Sequence, residues 1–186
     1  NYLGVSYFLC ETLGSFGSKQ DRYEVAGSID RQRNQISVSR KFNPDVVRFT
    51  GAHEVGHFLL HKHSAMHRDR PIKGLESGLR QARSETEKEA DYFAACFLMP
   101  AKLVETTFSR LFGKNFAVND NSAFKLSPSD PDEFLRPSQN LLSRELILAT
   151  AQSFNGIRFL SLAQQFFVSP TTMAIRLKEL NLASWP

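Results

Sequence analysis

His53, Glu54 and His57 stand in the run His-Glu-Val-Gly-His, a spacing that can hold a metal ion and put it to use. Zinc takes imidazole nitrogens at about 2.0–2.1 Å, so its ligands must converge on one point. Residues four apart on a helix lie one above the other on the same face, which lets two imidazoles pinch one ion. Glu54 sits beside the pair, where its carboxylate can take a proton from an attacking water whose pKa the ion lowers. One zinc per chain is the expectation. The opposing reading is a chance match on a surface helix. It is weakened by Phe49, Ala52, Val55 and Leu59, which give this helix a stripe suited to burial.

A catalytic zinc usually has three protein ligands, so a third must be found. His61 shares the helical face, but two turns beyond His53 means a rise of about 12 Å, too far for one ion. His63 completes the spacing of a metzincin motif, yet that motif needs glycine where this chain has Leu60. The remaining candidates lie in Glu87-Lys88-Glu89-Ala90-Asp91. Glu87 and Asp91 share a helical face, whereas Glu89 points elsewhere. One carboxylate can bind the ion while the other accepts the N–H of a ligating histidine. Glu87 is favoured as ligand with Asp91 behind a histidine; the reverse assignment is the alternative. An acidic first turn also suits the helix dipole, which accounts for Glu89 but poorly for Asp91 in mid-helix.

Two helices must present these groups. Asn43-Pro44 breaks the chain before a helix from about Val46 to His61. Ser84 followed by Glu87 spells a capping box, and Pro100 stops the second helix. Ala90, Ala94 and Ala95 are small enough to let it approach Gly56. Ahead of the motif, Tyr23–Ile29 and Gln35–Ser39 read as strands joined by a polar hairpin loop at 30–34. Residues 2–14 hold an apolar run compatible with strand or helix. Residues 62–83 read mostly as loop, and a third helix is expected over 101–112. The chain turns polar from 113 to 140, as an insertion or mobile lid would, and helices are expected near 141–154, 158–166 and 170–180. The domain reading is therefore 1–112 for the metal-binding part, 113–140 for the insertion and 141–186 for a helical end.

The stretch Arg48 to His61 resembles the ImmA/IrrE family of metallopeptidases. So do Ile36-Ser37-Val38-Ser39, the run Glu87 to Pro100, and Leu162 to Ser169 with Arg176-Leu177, all in family order. The resemblance implies an α+β fold with a short antiparallel or mixed sheet packed on the two ligand helices, a thermolysin-like zincin core, and a C-terminal helix-turn-helix-like piece. It implies His53, His57 and Glu87 as ligands and Glu54 as the base. It also implies a substrate: family members cleave helix-turn-helix repressors and so relieve repression in stress responses or mobile-element control. The family commonly has Asn where Asp91 stands, and both can accept a histidine hydrogen bond. The 113–140 segment departs from the pattern.

Ser169-Pro170 makes a good helix start. The turn position before it, usually glycine in a helix-turn-helix, is Phe167, where a positive φ would be strained. The following helix carries Arg176 and Lys178 against Glu179. DNA binding draws on several phosphate contacts, so a structural or repressor-docking role is preferred to DNA contact.

The rest of the composition sets limits. The 186 residues suit one domain or one with an appendage. There is no apolar run of membrane-spanning length. No charged n-region precedes an apolar stretch after Asn1, so no signal peptide is expected. Cys10 and Cys96 lack CxxC spacing and read as buried thiols in a reducing cytoplasm. Residues 62–83 hold six basic residues against two acidic, which accounts for the whole formal charge of +4. A solvated loop is the plain reading; a surface for an acidic partner is the sharper one. The 16 Phe promise a core built on rings. A regulator that binds a repressor or DNA and cleaves little is the competing function. An intact Glu54 favours the enzyme.

Overall fold

Short β-branched runs, a polar turn and then a long helix give the first half of the chain its plan. The computed structural model describes residues 4–18, 22–62, 66–69, 84–114, 116–135 and 142–183. Two compact units result, Asn1–Leu98 and Met99–Pro186, and the class is α+β. The expected boundary at 112 falls inside the second unit. Among the described residues no helix is long and apolar enough to cross a membrane.

The first unit contains β1 (Ser6–Cys10), β2 (Ser15–Phe16), β3 (Tyr23–Glu24), β4 (Gly27–Asp30), β5 (Gln35–Ser39), α1 (Pro44–Leu60), β6 (Met66–Asp69) and α2 (Glu85–Leu98). The main sheet runs β1-β5-β4-β6 and is mixed: β1 is parallel to β5, and the other neighbours are antiparallel. The expected strand over 23–29 is divided between β3 and β4. Its hairpin to β5 closes through Asn34 at φ 47°, in the left-handed region that asparagine tolerates. Within 62–83, read mostly as loop, Met66–Asp69 forms β6 and pairs with β4. Arg70, Lys73, Arg80, Arg83 and His63 lie outside the described residues.

Ile29, Ile36 and Val38 are fully buried under Val47, Val55 and Phe58 of α1, which fastens that helix to the sheet. Each such side chain contributes about 1.5–3 kcal/mol on burial. The buried face of α1 is not the stripe expected from sequence. Thr50, Gly51, Ala52, His53, Glu54, Gly56 and His57 are buried, whereas Leu59 is exposed. The reason is that α1 is covered twice, by the sheet on one side and by α2 on the other. Gly56 makes the second contact close: a Cβ there would lie 3.0 Å from Phe93. Cys10 and Cys96 are half-buried free thiols rather than fully buried ones.

The end of α1 is held from the hairpin. Arg31 donates to the carbonyls of His57 at 2.6 Å, Phe58 at 3.1 Å and His61, and its guanidinium lies 5.1 Å from the Phe58 ring centre. Cationic donors belong at helix C-termini, where unpaired carbonyls concentrate negative charge.

The second unit contains α3 (Ala101–Phe112), α4 (Asp120–Leu126), α5 (Pro131–Leu135), α6 (Ser143–Thr150), β7 (Ser153–Phe154), β8 (Ile157–Arg158), α7 (Leu162–Phe166) and α8 (Pro170–Glu179). Its core is built on rings, as the Phe content suggests. Phe108, Phe112, Phe116, Phe134, Phe154 and Phe159 form a chain of contacts with centroids 4.9–6.5 Å apart. The stretch read as a polar insertion supplies Phe116, Val118, Ala123, Leu126 and Phe134 to the buried set.

Where helices were expected at 141–154 and 158–166, a β7–β8 hairpin intervenes. Its turn is Asn155-Gly156, with φ of 51° and 77°, the conformation such a two-residue turn requires. Between α7 and α8, Phe167 adopts φ 54° and ψ 46° in spite of the steric cost of about 1–2 kcal/mol. Arg176 on α8 is buried, donates to the Met99 carbonyl at 3.1 Å and pairs with Glu179 at 3.0 Å.

Arg31→Ala is expected to lower the unfolding free energy by about 1.5–3 kcal/mol, the range for hydrogen bonds to a charged group. Urea denaturation reads the change; an unmoved midpoint would show that the helix end holds itself.

Candidate metal centre

The two packed helices of the first unit hold a set of acceptors between them. On α1, His53 and His57 are one turn apart and both are buried. Their Nε2 atoms lie 2.9 Å apart. On α2, Ser84 Oγ accepts from the Glu87 N–H at 3.3 Å, which starts the helix where the sequence suggested. From that first turn the Glu87 carboxylate reaches 3.2 Å from His57 Nε2 and 3.5 Å from His53 Nε2. One donor atom from each residue falls within 4.8 Å of the others.

The outer nitrogens decide what these inner ones can do. His53 Nδ1 and Asp91 Oδ1, both shielded from solvent, are 2.9 Å apart. An ionised carboxylate only accepts, so a hydrogen on Nδ1 is the arrangement that suits this contact and leaves the Nε2 lone pair facing inward. His57 turns its Nδ1 away as well, toward His61 at 2.9 Å. Two ring nitrogens and a carboxylate thus face one point, and a cation between them would satisfy all three. A tetrahedral ion with ligands at about 2.0–2.1 Å separates them by about 3.3 Å, close to the spacings here. The residues fit the metal.

Glu54 is fully buried beside the donors. Its carboxylate packs against the backbone of β4, where a Cβ on Gly27 would come within 2.0 Å of Oε1. Only glycine leaves room for it. The structure brings together His53, His57 and Glu87, with Asp91 behind His53. Tyr92 on α2 is largely exposed. His67 lies on β6, and its side chain is outside the described residues.

Tyr7 is the neighbour that sequence reasoning missed, since it reads as one more residue of an apolar run. Its hydroxyl lies over Gly51, where a Cβ would come within 2.2 Å. Burial first, and the Glu54 charge second, raise the phenol above its ordinary value. Tyr7 is thus a neutral O–H donor near the base. It also lines a cavity of about 610 Å³ with Val47, Val55, Phe97 and Leu98, none of them a donor to the cluster.

Residues 11–117 match the IrrE N-terminal-like domain of the M78 peptidases. The chain belongs to the ImmA/IrrE metallopeptidase family. No curated relative matches it. The matched span takes in every donor of this peptidase, together with Glu54, Asp91 and Gly27.

Gly27→Ala is expected to push Glu54 out of place and lower peptide hydrolysis by about 100-fold, as small misplacements at a reacting centre do. Far-UV circular dichroism should stay unchanged. Wild-type turnover in this variant would mean that Glu54 tolerates a different seat.

Proposed function

We propose that this metallopeptidase is a zinc-dependent, site-specific endopeptidase that cleaves a helix-turn-helix repressor and so relieves repression. The observation that carries the zinc reading is the convergence of three acceptors at 2.9–3.5 Å from two packed helices. His53, His57 and Glu87 would hold the ion, with Asp91 orienting His53. When bound, zinc lowers the pKa of the attacking water and polarises the scissile carbonyl.

Glu54 supplies the proton chemistry. Its carboxylate accepts a proton from the attacking water and delivers it to the leaving amine, which keeps both transfers on one group. A protein that only binds its partner has no use for a buried carboxylate beside the metal donors, and this weighs against the regulator reading.

The substrate part of the proposal rests on the family together with the second unit. There α7 and α8 make the helix-turn-helix-like pair, with Phe167, Leu160 and Ile157 exposed on or near it. Arg176 is engaged inside the unit, which supports docking of a protein over contact with DNA. Free Cys10 and Cys96 suit a cytoplasmic setting.

Metal analysis should return about one zinc per chain, and His57→Ala or Glu87→Ala should remove it. Glu54→Gln should keep the zinc and the fold while hydrolysis of the repressor stops, since an amide cannot take the proton. The intact chain should leave casein nearly untouched. Brisk casein digestion would point to a general peptidase, and cleavage by Glu54→Gln near the wild-type rate would remove Glu54 from the mechanism.

A further inference from the structure

We propose that His61 and Glu89 form a positioning relay that selects the ligating tautomer of His57 and so sets how tightly the centre holds its ion. The inference rests on the reading of His57 as a ligand. His61 is the C-cap of α1, one turn after His57. The two Nδ1 atoms are 2.9 Å apart, with ring centres at 4.9 Å. On its other side His61 Nε2 meets Glu89 Oε2 at 2.8 Å.

Proton placement along this line has one consistent solution with His57 as a ligand. The Glu89 carboxylate only accepts, so His61 Nε2 carries a hydrogen. With His57 ligating through Nε2, its Nδ1 carries the hydrogen and donates to His61 Nδ1. That leaves His57 Nε2 unprotonated, facing Glu87 and His53. The opposite order would put an N–H into the donor cluster and spoil the ligand. Hydrogen bonds to the outer nitrogen of a ligating histidine fix ring orientation and raise its basicity.

The two ligands are thus secured by different devices. His53 has a carboxylate directly behind it. For His57, the imidazole of His61 spans from ligand to carboxylate. Glu89 is the α2 residue between Glu87 and Asp91 that points off their shared face, so it meets the end of α1 rather than its middle. Arg31 adds precision by holding the carbonyls of both His57 and His61. A simple tie between two helices would need neither the tautomer nor the backbone clamp.

The test uses the full chain as wild type, His61→Phe, Glu89→Ala, their double variant and His61→Gln. The zinc dissociation constant is read by chelator competition, and the His57 tautomer by nitrogen NMR on the metal-free chain. His61→Phe should weaken zinc about 10–100-fold and let the Nε2–H form of His57 appear. Glu89→Ala should act in the same direction and lose its effect once His61 is Phe. His61→Gln should restore part of the affinity, because its amide can accept from His57 and donate to Glu89. Unchanged zinc affinity and tautomer in His61→Phe would overturn the relay. A Glu89→Ala effect that persists in the double variant would overturn it too, by showing that Glu89 acts directly through its charge. Should His61→Phe fail to fold, Glu89→Ala at a 60% exposed side chain carries the test alone, and an unchanged tautomer there overturns the proposal. A wild-type chain that binds no zinc would instead remove the ligand reading, while the metal-free tautomer would still report on the relay.

Discussion

Two imidazole nitrogens and a carboxylate are turned toward one point, a set that a cation between them would satisfy. Much of the first unit can be read as the means of keeping them there. α1 is buried on both sides, so its polar middle turn cannot rotate into solvent without uncovering the sheet or α2. Phe93 against Gly56 keeps α2 close enough for Glu87 to reach both histidines. Arg31 holds the far end of the same helix from a strand hairpin 26 residues upstream. The cost of gathering acceptors is offset by apolar contacts on the opposite side, where Ile29, Ile36 and Val38 pack under Val47 and Val55.

Glu54 shows how the same packing serves chemistry as well as binding. Its neighbours on α1 face inward with it, and β4 comes so near that no side chain fits at Gly27. A carboxylate held this way has few orientations to choose from, and preorganised groups need little rearrangement when charge moves. Tyr7, from the opposite edge of the sheet, places a neutral hydroxyl near that charge. The strand order β1-β5-β4-β6 puts β1 beside β5, so a tyrosine far from the motif in sequence comes to lie over α1.

The second unit solves a different problem. It has a helix-turn-helix-like pair whose turn residue is Phe167, in a backbone conformation that favours glycine. The strain persists because the flanking helices are well started: Ser161 and Ser169 cap them through side-chain hydrogen bonds to Gln164 and Thr172. A ring-on-ring core supplies the packing. The segment richest in polar residues joins that core because its few apolar side chains, Phe116 and Phe134 among them, are large.

Local chemistry was legible in the sequence. The His53, Glu54 and His57 spacing depends only on the helical repeat, and the start of α2 depends on Ser84 and its neighbours. The β4–β5 hairpin followed from alternating side chains and a polar loop. Asn155-Gly156 carries an equally local turn signal, which the surrounding helical spacing masks. Partners set by tertiary structure could not be read this way. Nothing within α1 says that Leu59 faces solvent while Thr50 is buried, because hydrophobic spacing assumes one covered face and this helix has two. Glu89 was read correctly as facing away from Glu87 and Asp91, yet only the crossing of α1 and α2 gives it His61. Arg31 and Tyr7 lie far along the chain from the groups they serve, and spacing rules stop at the end of an element. The sequence by itself determined which groups could hold a metal. The packing of α1 between sheet and helix decided which of them meet.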